Sequence, residues 1–524
     1  MASTKRARRG IAPPAPATPE SAPIAPPGGG RFAPALSLGG TAIAVFAWLA
    51  TLRLGAPQPW SYDEYYHLVL ARSFPLHRFP WTPFSIFADA FADKEPLFHL
   101  LLAPFASWPL TRAAAAGVLL GQAALVAAMA FALVRLAAPR AWLWLAALPG
   151  LGTQLLGRSE MLRPHIWLIA FTVVTLAALA TATPWWALAV LAALFGLVHT
   201  GGWIAVPLAL VACLLAWRDG APPRRLATWR PWLATTAGWL AGQLLHPNFP
   251  ANFRLAWIQN VVVVFQSAGG DEALRSQLGA ELLPPSAALL RNQWPVFLLT
   301  AALVAALLVE PAARRSRAVL LFAAPGLAAL LAGTLVMQRF FELGGPLLLL
   351  ALAAVAAQSE RSPRPLARRF AVLLGAAVFV LVTALAMRSI AADTTAGKIS
   401  PPDGMARFLG QTGKEKERVF TAQWADSAPL LYHAPQLESL VALDPTFFFV
   451  KDPVRFRDYV RIVQGTHENP ATAIREEFGA RWVSVWKAPV YERLARQLVA
   501  VPGATIAFSD RDYLVFDLAG VAKP

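Results

Sequence analysis

Apolar runs recur along the chain at 34–54, 113–134, 141–157, 166–182, 184–200, 203–217, 230–246, 287–309, 317–337, 343–357 and 370–390, with short polar clusters between them. A helix needs roughly 17 to 25 residues to cross a bilayer, so this pattern predicts about eleven transmembrane helices, the shorter ones tilting little or borrowing flanking residues. Residues 1–33 are rich in Pro and Ala, with a basic cluster at Lys5, Arg6, Arg8 and Arg9, and read as a disordered tail. Pro-rich sequence separates that cluster from the first apolar run, which is itself long enough to span, so the run reads as an uncleaved first helix rather than a signal peptide. From about residue 391 the pattern changes. Short strand-like runs (ERVFTAQ, RWVSVWK, ATIAFS, YLVFDL) alternate with helical periodicity around 452–464, 470–479 and 488–500. That alternation predicts a small soluble α/β domain with a parallel or mixed sheet. The expected fold class is a polytopic all-α membrane domain over 34–390, with a large outward loop at 55–112, followed by an α/β domain over 391–524.

Charge refines the picture. Charged residues make up only 15% of the chain, against about 25% in a soluble domain. The net charge of +16 comes from Lys and Arg in short clusters between apolar runs, not from one basic stripe interleaved with aromatics, which argues against a nucleic-acid partner. With the N-terminus cytoplasmic, loops on that side hold Arg135 and Arg140; Arg218, Arg224, Arg225 and Arg230; Arg314, Arg315 and Arg317; and Arg361, Arg364, Arg368 and Arg369. The positive-inside rule then places segments 55–112, 246–286 and 391–524 outward, together with nearly all the carboxylates and all eight histidines. The Ala, Pro and Arg bias suggests a bacterial inner membrane, which makes the α/β domain periplasmic. Cys213 lies in an apolar run; a lone cysteine excludes an intrachain disulfide and a cysteine metal cluster.

Candidate chemistry collects on the outward side. Asp63 and Glu64 are adjacent in the aromatic stretch SYDEYYH, shortly after the first span. Two anions beside a low-dielectric phase repel each other and lose hydration, so they persist most readily if they bind a cation or handle a proton. A loop with solvated surface acids is the plainer alternative. The segment 55–112 is too long and too apolar for a simple connector; WTPFSIFADAF and EPLFHLLLAPFASWPL predict short helices at the interface, able to roof a cavity. A second cluster, GRSEMLRPHIW, supplies Glu160, Arg163 and His165, with Pro164 suited to a helix start. Glu160 can share a divalent cation with Asp63 or Glu64, since hard ions take carboxylate oxygens from separate segments; equally, it can pair with Arg163. A third cluster, MQRFFELGGP, supplies Arg339 and Glu342. A guanidinium among apolar helices is tolerable where it binds phosphate bidentately, the alternative being a pair with Glu342. His199 and His246 read as satisfied interfacial residues. Asp444 and Pro445 predict a turn, with a site at a strand end as the other possibility, and TFFFVKDP is an aromatic run suited to docking on the membrane part.

This order of features resembles the GT-C superfamily of integral-membrane glycosyltransferases, which includes protein mannosyltransferases, aminoarabinose transferases and oligosaccharyltransferases and takes sugars from polyprenyl-phosphate or polyprenyl-diphosphate carriers. DKEPLFHLL is similar to the charged-residue-plus-Pro motif ahead of span two in the lipid-sugar branch, with Lys94 at the position that contacts donor phosphate. FTAQWADSAPLLYHAP resembles the tryptophan and aspartate motif of oligosaccharyltransferase catalytic subunits, with Trp424 and Asp426 in the matching places. The resemblance implies Asp63 as base or metal-bound orienter, Glu64 as its partner and Glu160 as a second acidic site. It further implies Lys94, Arg163 and Arg339 on donor phosphate, His165, Trp424 and Asp426 on the acceptor side, and a divalent cation, Mg or Mn, on Asp63 and Glu160. Transfer would be a single displacement with inversion at the sugar carbon, from a polyprenyl-linked donor in the bilayer to a protein, lipid or glycan acceptor. Two departures stand. The oligosaccharyltransferase motif has two tryptophans and an aromatic after the aspartate, whereas this chain has Gln423, Trp424, Ala425, Asp426 and Ser427, so acceptor identity does not carry over. The second acidic site is the single Glu160 rather than an Asp-x-Asp pair.

A transporter or flippase for a lipid-linked or small solute is the rival class. Such proteins place polar groups near the bilayer midplane, often in repeated broken helices. Here the span interiors are mostly Ala, Leu and Val, with Gln122 and Gln154 standing out, and no internal repeat is visible.

Overall fold

The apolar runs fold as helices in a computed structural model that describes residues 32–55, 59, 61–73, 80–88, 93–181, 183–222, 225–268, 270–360 and 402–522. The predicted span at 370–390, the domain boundary at 391 and nearly all of the tail lie outside the described residues. Up to the first crossing of the chain and back, the helices are α1 (Phe32–Leu54), α2 (Asp63–Arg72), α3 (Pro96–Leu102) and α4 (Leu110–Arg135). There follow α5 (Ala141–Ala146), α6 (Thr153–Ser159), α7 (His165–Ala180), α8 (Trp185–Val198), α9 (Ala205–Arg218) and α10 (Leu226–Leu244). After a stretch of short helices come α11 (Trp294–Val309), α12 (Arg317–Leu335) and α13 (Phe341–Glu360).

Five helical stretches are long and apolar enough to cross a membrane: Leu36–Leu54, Leu110–Arg135, Thr200–Arg218, Arg317–Leu335 and Gln338–Glu360. Others, such as α7, α8 and α11, are shorter apolar helices, so about eleven full-length spans is more than the described residues supply. The expected span at 141–157 is broken. Pro149 cannot donate a helical hydrogen bond, and Gly152 has φ of 114°, a conformation that ends a right-handed helix and suits only glycine. That break separates α5 from α6 and lets α6 carry polar residues toward the site.

Apolar on every side, α13 is the central helix: 94% of its span is buried, with α12, α11, α7 and α6 packed on it. Hydrophobic all round is the signature of a helix with no solvent or lipid face. α8 and α10 approach so closely that a Cβ on Gly238 would lie 2.0 Å from the Ala189 carbonyl oxygen, and one on Gly242 2.5 Å from that of Ala193. Two glycines four apart are the small-residue spacing that lets membrane helices pack backbone to backbone.

Residues 402–522 form the α/β domain. Its strands are β1 (Arg418–Thr421), β2 (Glu438–Ser439), β3 (Trp482–Trp486), β4 (Thr505–Ser509) and β5 (Tyr513–Asp517), in the order β2-β1-β3-β5-β4. β1 runs parallel to β2 and β3, whereas β5 is antiparallel to β3 and β4, so the sheet is mixed, as the alternation predicted. The aromatic run docks on the loop that follows α1: Phe448 lies 5.0 Å from Phe84 and Phe447 5.2 Å from Phe87, ring centre to ring centre. Here one expectation is corrected. WTPFSIF forms turns rather than an interfacial helix, and Phe84 and Phe87 are buried against the α/β domain, because that domain offers a larger apolar surface than a headgroup layer does. The second predicted loop helix is present as α3 and the 3-10 turn after it. α2 completes the joint between the two parts: Tyr65 Oη donates to Asp403 at 2.7 Å, and the Arg72 guanidinium lies 4.1 Å over the Tyr432 ring.

Candidate active site

α2 starts at Asp63, and successive residues on a helix point about 100° apart, so the two adjacent carboxylates part company. Asp63 turns into a cavity of about 480 Å³ between the membrane helices and the α/β domain. Pockets of this size are typical for small-molecule ligands. Glu64 turns the other way, fully buried, with its Oε2 3.2 Å from Arg53 Nη2 at the end of α1. Arg53 Nη1 also faces the Glu160 backbone carbonyl at 3.5 Å. The Glu160 carboxylate accepts from Gln122 Nε2 at 3.0 Å, which accounts for the polar residue inside α4. Glu64 and Glu160 are thus brought together around Arg53, a residue that sequence reasoning passed over as a helix end, and neither lines the cavity. The expected cation site on Asp63 and Glu160 does not fit this geometry, since Asp63 faces the cavity and is answered by an arginine while Glu160 is held by Gln122 behind its wall.

That arginine is Arg163. Its Nε donates to Asp63 Oδ2 at 2.6 Å and its Nη1 to Glu281 Oε1 at 2.7 Å. Arg158, from the C-terminal turn of α6, reaches Glu281 at 3.4 Å and contacts Glu342 directly. Burial raises the Glu281 carboxyl, but Arg163 and Arg158 outweigh it and hold the group below the usual carboxylate range. The local alternatives, Glu160 with Arg163 and Arg339 with Glu342, are both replaced by these longer-range pairs. Arg339 is left over: among the described residues it has no hydrogen-bond or ion-pair partner, and it lines the cavity. His165 also lines it, with both ring nitrogens lacking a hydrogen-bond partner and Nε2 3.8 Å from Glu342.

The opposite wall comes from the loop ahead of α3 and from the α/β domain. Lys94 Nζ donates to Asp444 Oδ2 at 2.7 Å, and Gln259 Nε2 donates to the same oxygen at 2.9 Å. Burial pushes Asp444 up, yet Lys94 and the Thr446 hydrogen bonds leave it below its ordinary value. Asp444 is therefore part of the cavity as well as of a turn. Trp424 lines the cavity, but Asp426 does not. Two residues further along a tight 3-10 turn, Asp426 faces the domain core, where its Oδ1 accepts from Tyr513 Oη at 2.8 Å. Burial pushes its carboxyl up to about 8, only partly offset by that hydrogen bond. Of the expected site residues, the fold gathers Asp63, Lys94, Arg163, His165, Arg339 and Trp424 around one cavity. It adds Arg158 and Glu281, which single-sequence inspection did not single out, and Asp444, which it offered as a turn or a site at a strand end.

The chain aligns in three dimensions with the archaeal oligosaccharyltransferase AglB from Archaeoglobus fulgidus, solved in complex with an inhibitory peptide and a dolichol-phosphate, at a TM-score of 0.54 and 13% identity over 87% of this chain and 70% of that one. It also aligns with the arabinofuranosyltransferase AftD from Mycobacteria, at a TM-score of 0.49 and 16% identity over 94% of this chain and 40% of that one. No protein-family model and no curated protein matches the sequence. The architecture expected from the order of its motifs agrees with the first of these likenesses: over most of its length the chain shares the fold of AglB.

Proposed function

We propose that the protein is a glycosyltransferase that moves a sugar from a polyprenyl-phosphate or polyprenyl-diphosphate donor to an acceptor held between the membrane helices and the α/β domain. The observation that carries this reading is Arg339, a guanidinium with no hydrogen-bond or ion-pair partner among the described residues, in the same cavity as the Asp63–Arg163 pair. An unpaired cation in a mostly apolar cavity is costly unless an anion completes it, and arginine matches phosphate oxygens in two-pronged fashion. The dolichol-phosphate in the AglB structure supports a lipid-linked donor for a shared fold.

In this scheme the donor phosphate takes Arg339 and the outer face of Arg163, with Lys94 across the cavity. The acceptor nucleophile attacks the anomeric carbon from the side opposite the phosphate, and the carbon–oxygen bond to phosphate breaks with inversion. Asp63 takes the proton released by the acceptor, and the phosphate leaves as an anion stabilised by the guanidinium groups. Trp424 and His165 border the space left for the acceptor. Glu64 and Glu160 act through Arg53, fixing where α2 begins and hence where Asp63 points. The working face is the outward one, periplasmic in a bacterial inner membrane, as the basic loops indicate.

The test is to incubate purified protein with a panel of polyprenyl-phosphate sugars, with and without divalent ion, and follow donor consumption. Asp63→Asn should lower transfer by about 10²–10⁴-fold while expression and donor binding persist. Full activity in that variant removes the assignment. Movement of the lipid-linked molecule across vesicles without sugar transfer supports the transporter class instead.

A further inference from the structure

The lower wall of the cavity carries a cluster that the transfer scheme does not use. His67 lies on α2, one turn beyond Asp63, while Glu95 and His99 belong to the loop and first turn of α3. All three are buried, and one ligand atom from each lies within 4.8 Å of the others. His67 Nδ1 and His99 Nε2 face each other at 2.9 Å. Behind them, His99 Nδ1 contacts both oxygens of Asp93, at 2.8 and 2.9 Å. A carboxylate at Nδ1 keeps the proton on that nitrogen, which leaves Nε2 as a lone-pair donor pointed at the cluster. This carboxylate–histidine arrangement is the one that orients metal-binding imidazoles and raises their basicity. Glu95 supplies the independent sign: its buried Oε2 has no hydrogen-bond partner among the described residues. A buried carboxylate oxygen left unsatisfied beside two imidazoles that share one proton lacks a positive charge.

We propose that His67, Glu95 and His99 bind a divalent transition-metal ion, zinc by the nature of the donors. Two imidazole nitrogens and one carboxylate oxygen are a common set for zinc sites that keep an open position. Tetrahedral coordination at about 2.1 Å from the ion puts ligand atoms about 3.4 Å apart, so the cluster closes on an ion with shifts of an ångström or so. The ion replaces the proton shared by His67 and His99. Lys94, next to Glu95 in sequence, does not bar it, because its ammonium is neutralised by Asp444. His67 and Glu95 both line the cavity, so the fourth coordination position opens on the same space as Asp63. The ion ties α2 to the loop before α3 and fixes the side of the cavity where Asp63 and Lys94 meet. This site is separate from the acid pair that sequence reasoning offered to a cation, and it stands whether or not the protein transfers sugar.

The experiment is elemental analysis of the full-length protein purified in detergent through a tag without histidines, followed by chelator dialysis and titration with zinc alone while thermal unfolding is monitored. The expected result is about one zinc per chain, lost on dialysis, with the unfolding temperature rising by several degrees on readdition. His67→Ala and Glu95→Gln should abolish both retention and the thermal response, whereas Asp63→Asn should keep both. Should His67→Ala fail to fold, the isosteric Glu95→Gln decides the matter alone. Wild-type protein that neither retains zinc nor responds to it overturns the proposal. So does a Glu95→Gln variant that binds zinc as wild type does, or an Asp63→Asn variant that loses it.

Discussion

Lys94 and Asp444, 350 residues apart in the chain, meet at 2.7 Å and close one wall of the cavity between them. Each side chain is 14% exposed, so the pair is largely out of water. Because Lys94 stands in the loop ahead of α3 and Asp444 in the α/β domain, this contact is one of those that hold that domain over the cavity. Asp444→Ala should cost about 1.5–3 kcal/mol in the docking of the domain. Limited proteolysis of the loop around residues 80–95 should accelerate, and donor turnover should fall, while the separate melting of the sheet stays as in wild type.

Arg339 should separate binding from chemistry. With no hydrogen-bond or ion-pair partner among the described residues to strand, Arg339 can be removed without leaving a carboxylate there unpaired, so Arg339→Ala should fold as wild type does. Donor affinity should drop by about 10- to 100-fold, with Arg339→Lys recovering part of it, since an ammonium keeps the charge but loses the two-pronged geometry. Equal affinity in wild type and Arg339→Ala, measured with a labelled polyprenyl-phosphate sugar, would remove the phosphate from this corner of the cavity.

Asp426 predicts a pH dependence of stability. Its folded carboxyl is pushed up to about 8 by burial, whereas an unfolded aspartate titrates near about 3.9. Across that interval the folded state holds a proton that the unfolded state has lost, so stability falls as pH rises from about 4 to about 8. Among the described residues its Oδ2 has no hydrogen-bond partner, consistent with a neutral carboxyl. Asp426→Asn keeps an acceptor for the Tyr513 hydroxyl and removes the titration. Denaturation of the variant between pH 4 and 8 should show a flatter slope than wild type, with the two curves diverging most at the alkaline end.

Glu64 and Asp63 should fail in different ways although they are neighbours. Glu64→Ala leaves Arg53 buried without its ion pair, a change that costs about 3–5 kcal/mol when a buried charge loses its partner. Low yield and early aggregation on heating are the expected outcome. Asp63, facing the cavity, should instead lose transfer in the folded protein. A well-folded, inactive Glu64→Ala would place it beside Asp63 in function and against the geometry.

Much of the arrangement was legible along the chain because membrane insertion writes its own rules into composition. Long apolar runs, basic clusters between them and a late shift to mixed charge fixed the membrane domain, the α/β domain and the part of the chain carrying the polar clusters. Local signals also marked Asp63, Arg163 and Arg339 as charges in unusual surroundings, and the family resemblance singled out Lys94. Partners were not legible. Pairing between Arg158 and Glu342, Arg163 and Glu281, or Lys94 and Asp444 joins segments from 94 to 444, and nothing in either local sequence names the other partner. Nor could inspection tell which of two adjacent carboxylates faces the cavity, since that depends on where α2 begins and how it rotates against α1.

The amino-acid order by itself determined that the chain carries runs apolar enough to enter a membrane, how its apolar and polar segments alternate, and that a small α/β domain with a parallel or mixed sheet follows, because hydrophobic period and run length are local quantities. Tertiary structure alone decided that Asp63 is held by Arg163, that Glu64 and Glu160 meet at Arg53, that Asp426 is buried away from Trp424, and that His67, Glu95 and His99 converge. Those outcomes depend on the rotation and depth of packed helices, where a turn of 100° moves a side chain from cavity to core, and no single segment carries that information.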